Sequence, residues 1–161
     1  MTWETIEDYL LKVARAAALE NGSLALVRQE HVITKDNWQW GYLKPDEGYS
    51  SKINLYVIKH IPTGRTVTSF GLHQFPSYCA LCASTQAFVE PVFRRKGINK
   101  LSNEFRQKIA AKEGYAALVC TDVLTNEAER RTLMNQGFVD LFQVHNHRTG
   151  NDVVMSVKRL E

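Results

Sequence analysis

The chain has 161 residues, enough for one domain with a buried core, and its 44% hydrophobic and 23% charged composition is that of a globular protein. No apolar run approaches the roughly 20 residues that span a bilayer, and Glu4, Glu7 and Asp8 stand where a signal peptide carries basic residues. The expectation is a cytoplasmic chain with no membrane partner. The net charge of +3 is unevenly spread: from Arg94 to Lys112 seven basic residues face Glu104 alone, so that segment is +6 and the rest of the chain −3. This favours one anionic ligand over a general affinity for nucleic acid.

In chain order, Trp3 to about Leu19 is predicted to form an amphipathic helix, with Ile6, Leu10, Val13 and Ala17 on one face and Asn21-Gly22 as its stop. Leu24 to Ile33 is read as a strand. Asp36 to Lys52, with Gly41, Pro45 and Gly48, is read mostly as loop, in which Trp38, Trp40 and Tyr42 alternate. Ile53–His60 and Thr66–His73 form a predicted hairpin about the turn 62–65, and Leu81–Val89 a further strand stopped by Pro91. Ile98 to about Lys112 is a predicted helix with Ile98, Leu101, Phe105 and Ile109 on its apolar face, ended by Gly114. Tyr115–Val123 is nearly all apolar, as in a strand buried on both sides. Asn126 then caps a short helix to Gln136, with Glu129 three residues on and Gly137 beyond its end. Phe138–His145 and Asp152–Arg159 close the chain as a hairpin. The expected fold is a single α+β domain, with a mainly antiparallel sheet flanked by helices and one central crossover.

The segment richest in chemistry runs Phe88-Val89-Glu90-Pro91-Val92-Phe93-Arg94-Arg95-Lys96-Gly97-Ile98-Asn99. A strand ends, a basic turn follows and a helix begins. The first N–H groups of a helix lack partners within it and sit at the positive end of its dipole, which suits a phosphate. Gly97 permits close backbone approach, while Arg94, Arg95 and Lys96 add positive potential. A solvated basic turn is the commoner use of such a sequence.

This stretch resembles the acyl-CoA-binding motif Q/R-x-x-G-x-G/A of the GNAT N-acetyltransferase superfamily, with Arg94, Gly97 and Asn99 at its three defined positions. Asn126 to Gly137-Phe138 resembles the family's second motif. The resemblance implies a GNAT-like fold and an acyl-CoA site at the strand–turn–helix junction. Phe88 and Val89 would lie along the pantetheine arm, residues Arg94, Arg95, Lys96, Gly97, Ile98 and Asn99 around the pyrophosphate, and Asn126 at the second motif. It further implies transfer of an acetyl group from acetyl-CoA to an amine of a small molecule or protein, by direct attack in a ternary complex. Two departures stand out: Asn99 replaces the usual Gly or Ala, and Leu133 occupies the position of the tyrosine that protonates the leaving thiolate in many members. The strand Leu81–Val89 also lacks the glutamate that some members use as general base.

Candidates for proton transfer are His73, Asp122, Tyr78 and Cys120, with His73 and Asp122 ranked first because their types titrate usefully when a fold perturbs them. The plainer reading makes His73 a strand-end residue and Asp122 a loop or cap residue. No metal site is expected: Cys79 and Cys82 would face opposite ways on one strand, and His145 and His147 read as exposed hairpin histidines. The alternative to an enzyme is a catalytically silent GNAT-like binding or structural protein, such as one from a bacteriophage particle. The chain is expected to act as a monomer or homodimer.

Overall fold

A computed structural model describes residues 6–19, 24–33, 51–75 and 78–161. The expected helix start at Trp3 and the aromatic series Trp38, Trp40 and Tyr42 lie outside these residues. Helix α1 (Ile6–Ala17) buries Tyr9, Val13, Ala14 and Ala17 at helical spacing. Then come β1 (Leu24–Ile33), β2 (Ser51–His60), β3 (Arg65–Phe75) and β4 (Tyr78–Val89), each antiparallel to its predecessor. Helix α2 (Ile98–Lys112) crosses over to β5 (Ala117–Val123), which is parallel to β4. Helix α3 (Glu127–Asn135) leads to the hairpin of β6 (Val139–Asn146) and β7 (Asn151–Arg159). The seven strands lie in the order β1-β2-β3-β4-β5-β7-β6, a mixed and mostly antiparallel sheet.

Several strand boundaries differ from expectation. Strand β2 begins at Ser51, inside the expected loop, because Ser51 and Lys52 pair with Ile33 and Val32. Strand β3 runs on to Phe75, and β4 starts at Tyr78 rather than Leu81, the two joining through the pair Phe75↔Tyr78. Tyr78, Cys79 and Ala80 are exposed, so no apolar alternation marked them as strand. Tyr115 and Ala116 precede β5 in place of opening it; they bond back to Ala110 and Ala80 respectively. Within β5, Ala117 to Cys120 are all buried, as a strand with neighbours on both edges requires.

Residues of all three helices pack on one face of the sheet. Tyr9, Phe105, Ala110 and Leu133 meet Tyr56, Phe70, Leu72, Cys82, Leu118 and Cys120 in one core cluster. A second cluster joins Val13, Ala14 and Ala17 to Ile58, Val67, Phe93 and Ile98. Helix α2 is buried around more of its circumference than its apolar stripe predicts, for Ser102, Asn103 and Arg106 are buried too. On that side Gln136, just past the end of α3, accepts from Asn103 Nδ2 and from Gln107 Nε2 and donates to the Lys100 carbonyl, while Arg106 donates to Ser84 of β4. The expected end of α3 is present, with Gly137 in the left-handed region and the Phe138 amide donating to the Leu133 carbonyl at 3.1 Å.

Candidate functional site

Strands β4 and β5 pair only from Leu81↔Ala117 to Ser84↔Cys120. Beyond that point β4 stays with β3 through Phe88 and Val89, while β5 stays with β7 through Thr121, Asp122 and Val123. Each strand follows its own outer neighbour, so the two part and leave a wedge. An extra residue in β4, between Thr85 and Phe88 opposite Gly71 and Ser69, adds a bulge on this side of the split. A groove of about 780 Å³ fills the wedge and continues over the turn at the start of α2.

The turn is shaped by its backbone. A 3-10 turn over Pro91–Phe93 buries Phe93, and the Arg94 amide donates to the Pro91 carbonyl. Arg95 then adopts φ 61° and Gly97 φ 77°, and alternating hand of this kind points successive amides to one side. Among the described residues no acceptor receives the backbone N–H of residues 95 to 100; the first bond of the new helix runs from the Leu101 amide to the Gly97 carbonyl at 3.2 Å. Six amides at this helix N-terminus are therefore without an acceptor, with Arg95 and Lys96 exposed beside them. Arg94 braces the turn: its Nε donates to the Val89 carbonyl at 2.9 Å and its guanidinium lies 5.6 Å from the Phe88 ring centroid. The Phe88 carbonyl accepts from Thr68 Oγ1. Of the residues expected around an acyl-CoA, Phe88, Val89, Arg94, Arg95, Gly97, Ile98, Asn99 and Asn126 line the groove, and Lys96 does not.

The two leading candidates for proton transfer are separated. His73 stands opposite Ala83 on the sheet face away from the helices and does not line the groove. Burial lowers its pKa, and its Nδ1 is buried without a partner. Tyr78 is exposed at the start of β4, also outside the groove. Cys120 lines the groove, but burial pushes its thiol up to about 12, so it stays protonated. Asp122 lies at the split end of β5 and lines the groove. Its Oδ1 accepts from the Val123 amide and from Asn126 Nδ2, while Oδ2 is buried without a partner. Burial first, then the nearby Glu129 carboxylate, raises its pKa from 3.8 to about 6.

That shift has a sign. A carboxyl whose pKa is higher in the folded protein than in the unfolded chain favours folding at low pH, and the benefit is lost as pH rises from about 4 to about 6. Asp122→Asn removes the charge and keeps an acceptor for Val123 and Asn126. The variant is expected to be about 1 kcal/mol more stable than the native chain at pH 7.5, after discounting for a partly exposed group, and equal to it at pH 3.5. Urea titrations at the two pH values measure this.

Two residues of the groove escaped the sequence reading. Arg106, counted there with the basic segment, points inward and is 2% exposed. Glu129, placed as a capping residue, does donate its amide to Asn126 Oδ1, but its side chain accepts from Asn99 and stands 3.9 Å from Arg106 Nη2. A charged residue three positions after a cap reads as capping; only the approach of α3 to α2 turns it toward Arg106.

No family model and no curated protein matches the sequence. Solved structures do. A GNAT family acetyltransferase from Elizabethkingia anophelis with acetyl-CoA bound superposes with a TM-score of 0.63 at 12% identity, over 86% of this chain and 99% of that one. The chain has the GNAT fold. An IAA acetyltransferase from Bacillus cereus matches with TM-score 0.63 at 13% identity over 86% of this chain and 100% of the other. A chain of the NatC complex bound to Gag peptide and CoA matches with TM-score 0.59 at 15% identity, over 66% and 71%. The comparisons lend the bacteriophage reading no support. On this GNAT scaffold Leu133 is 3% exposed and belongs to the core cluster, so its position serves packing and offers no proton. Among the described residues no helix is long and apolar enough to cross a membrane.

Proposed function

We propose that the chain is an acyl-CoA-dependent N-acetyltransferase that takes acetyl-CoA as co-substrate and an amine of a small molecule or protein as acceptor. The observation that carries this reading is the run of six open amides, from residue 95 to residue 100, at the mouth of a wedge between two parted parallel strands. Such amides, with Arg95 and Lys96 beside them, suit a diphosphate. The unpaired side of β4 beyond Ser84 gives an extended arm a strand edge to lie along. Two solved structures that share the fold hold CoA or acetyl-CoA.

In this reading Asp122 accepts the proton that the amine loses. The amine nitrogen bonds to the acetyl carbon, the carbon–sulfur bond breaks, and the thiolate takes its proton from water, because Leu133 supplies none. With the carboxyl at about 6, the rate is expected to rise tenfold per pH unit below that value and to level off above it. Asp122→Asn is expected to lose this limb.

Calorimetric titration of the chain with acetyl-CoA tests the binding half; no detectable heat up to millimolar ligand removes the proposal. A thiol-release assay across a panel of small and peptide amines then tests transfer. A silent GNAT-like binding protein is the second reading, and the buried Leu133 is the observation that favours it. Acetyl-CoA binding with no thiol release on any amine would select it.

A further inference from the structure

Arg106 is a charge sunk at the closed end of the wedge with its hydrogen bonding incomplete. It lines the groove with Ser84 and Cys120, the last pair that joins β4 to β5. Its Nη1 donates to Ser84 Oγ at 3.0 Å. Its Nη2 stands 3.9 Å from Glu129 Oε1, beyond hydrogen-bond reach. Both Nε and Nη2 are buried without a hydrogen-bond partner. Those two nitrogens share one edge of the guanidinium and present parallel N–H groups, the fork that guanidinium uses to grip oxygen.

A buried donor left idle is costly, so the fork favours any ligand that brings it an acceptor. Glu129 supplies countercharge without filling the fork, because its other oxygen accepts from Asn99 Nδ2 and the carboxylate is held toward the first turn of α2. Asp122 also lines the groove and feels Glu129. Glu129 already balances the guanidinium, so the site lacks an acceptor oxygen rather than negative charge. That need fits a neutral carbonyl and disfavours an acyl chain that ends in a carboxylate.

We propose that Arg106 donates Nε–H and Nη2–H to the carbonyl oxygen of the bound acyl thioester, and that Asn99 keeps the fork open by holding Glu129 away. This rests on the acyl-CoA reading above and names the atom at which the acyl group is recognised. When the amine nitrogen bonds to the acyl carbon, the carbonyl pair moves onto the oxygen within the fork. When the carbon–sulfur bond breaks, that pair re-forms the carbonyl and sulfur leaves as thiolate. Donors placed where charge develops act in the transition state. Arg106 is then a catalytic residue and Asn99 a positioning residue.

The test compares acetyl-CoA with S-ethyl-CoA, a thioether that keeps everything except the acyl oxygen. The native chain is expected to bind acetyl-CoA about tenfold more tightly. Arg106→Met and Arg106→Lys are expected to bind the two equally; the lysine variant keeps a cation beside Glu129 and guards against a mere loss of folding. Asn99→Ala is expected to shrink the preference, because Glu129 is freed to close on Arg106. The infrared carbonyl band of ¹³C-labelled acetyl-CoA should fall in frequency on the native chain and not on Arg106→Met. Equal binding of both compounds by the native chain, or a preference retained in both Arg106 variants, overturns the inference while leaving the acyl-CoA reading intact. If the native chain binds neither compound, it is the acyl-CoA reading that fails.

Discussion

Gly97→Glu is expected to weaken acetyl-CoA binding by at least about 100-fold. Two effects combine. Gly97 sits at φ 77°, a region that L-residues enter at a cost of about 1 kcal/mol, so the side chain pulls the turn away from its native shape. The added carboxylate also stands among the open amides of residues 95 to 100 and competes for them with the incoming phosphates, at a further cost of about 2 kcal/mol. No heavy atom lies within 4 Å of a Cβ built at Gly97, so the variant should fold, with only the strain appearing in its melting temperature. Gly97→Ala separates the two effects, because it carries the strain without the charge and should lose less than about tenfold. Titration calorimetry on both variants, with a thermal melt of each, provides the measurement. Unchanged affinity in Gly97→Glu would show that the amides at this turn do not hold the ligand.

The largest loss of stability is expected from Phe105→Ala, at about 3–5 kcal/mol. Phe105 is 3% exposed and lies at the centre of a chain of rings. It stacks on Tyr9 of α1 at 4.9 Å between centroids and meets Phe70 of β3 edge-on at 6.1 Å; Phe70 in turn stacks on Tyr56 of β2 at 5.2 Å. Truncation opens a cavity where two helices and two strands meet and leaves Tyr9 without its stacking partner; Phe70 cannot fill the cavity without breaking its stack on Tyr56. Val139→Ala is the contrast: removing the two methyl groups of a side chain 61% exposed should cost under about 0.5 kcal/mol. Urea denaturation of the two variants distinguishes a keystone aromatic from an ordinary core contact. Because Arg106 follows Phe105 on the same helical turn, the Phe105 variant should also bind acetyl-CoA less tightly at temperatures well below its melting point.

Much of this architecture was legible because it rests on periodicity. The stripe of Ile98, Leu101, Phe105 and Ile109 placed α2, the unbroken apolar run placed β5, and Asn126 with Gly137 bracketed α3. The turn at Arg94 to Asn99 was readable because helix starts and glycines have local rules. Arg106 was not readable, since a lone arginine on a helix reads as a surface residue unless the element that buries it is known. Here its neighbours are Ser84 of β4, 22 residues earlier, and Glu129 of α3, on elements distant in the chain. Asp122 was identifiable as a type but not as a perturbed group, because its shift comes from burial and from Glu129 across the groove. The pairing Phe75↔Tyr78 was hidden for the opposite reason: exposed residues at a strand end leave no alternation to detect.

The short run of contact between β4 and β5 makes the sheet two panels joined by a seam, one panel of four strands and the other of three. A slender molecule slipped into the split would take the place of the rungs that the polypeptide leaves out and tie the panels together. Amide exchange should then slow on both sides of the seam when the slot is filled, along Thr85–Val89 and Thr121–Val123 alike, so that the ligand behaves as a borrowed strand of the protein's own framework.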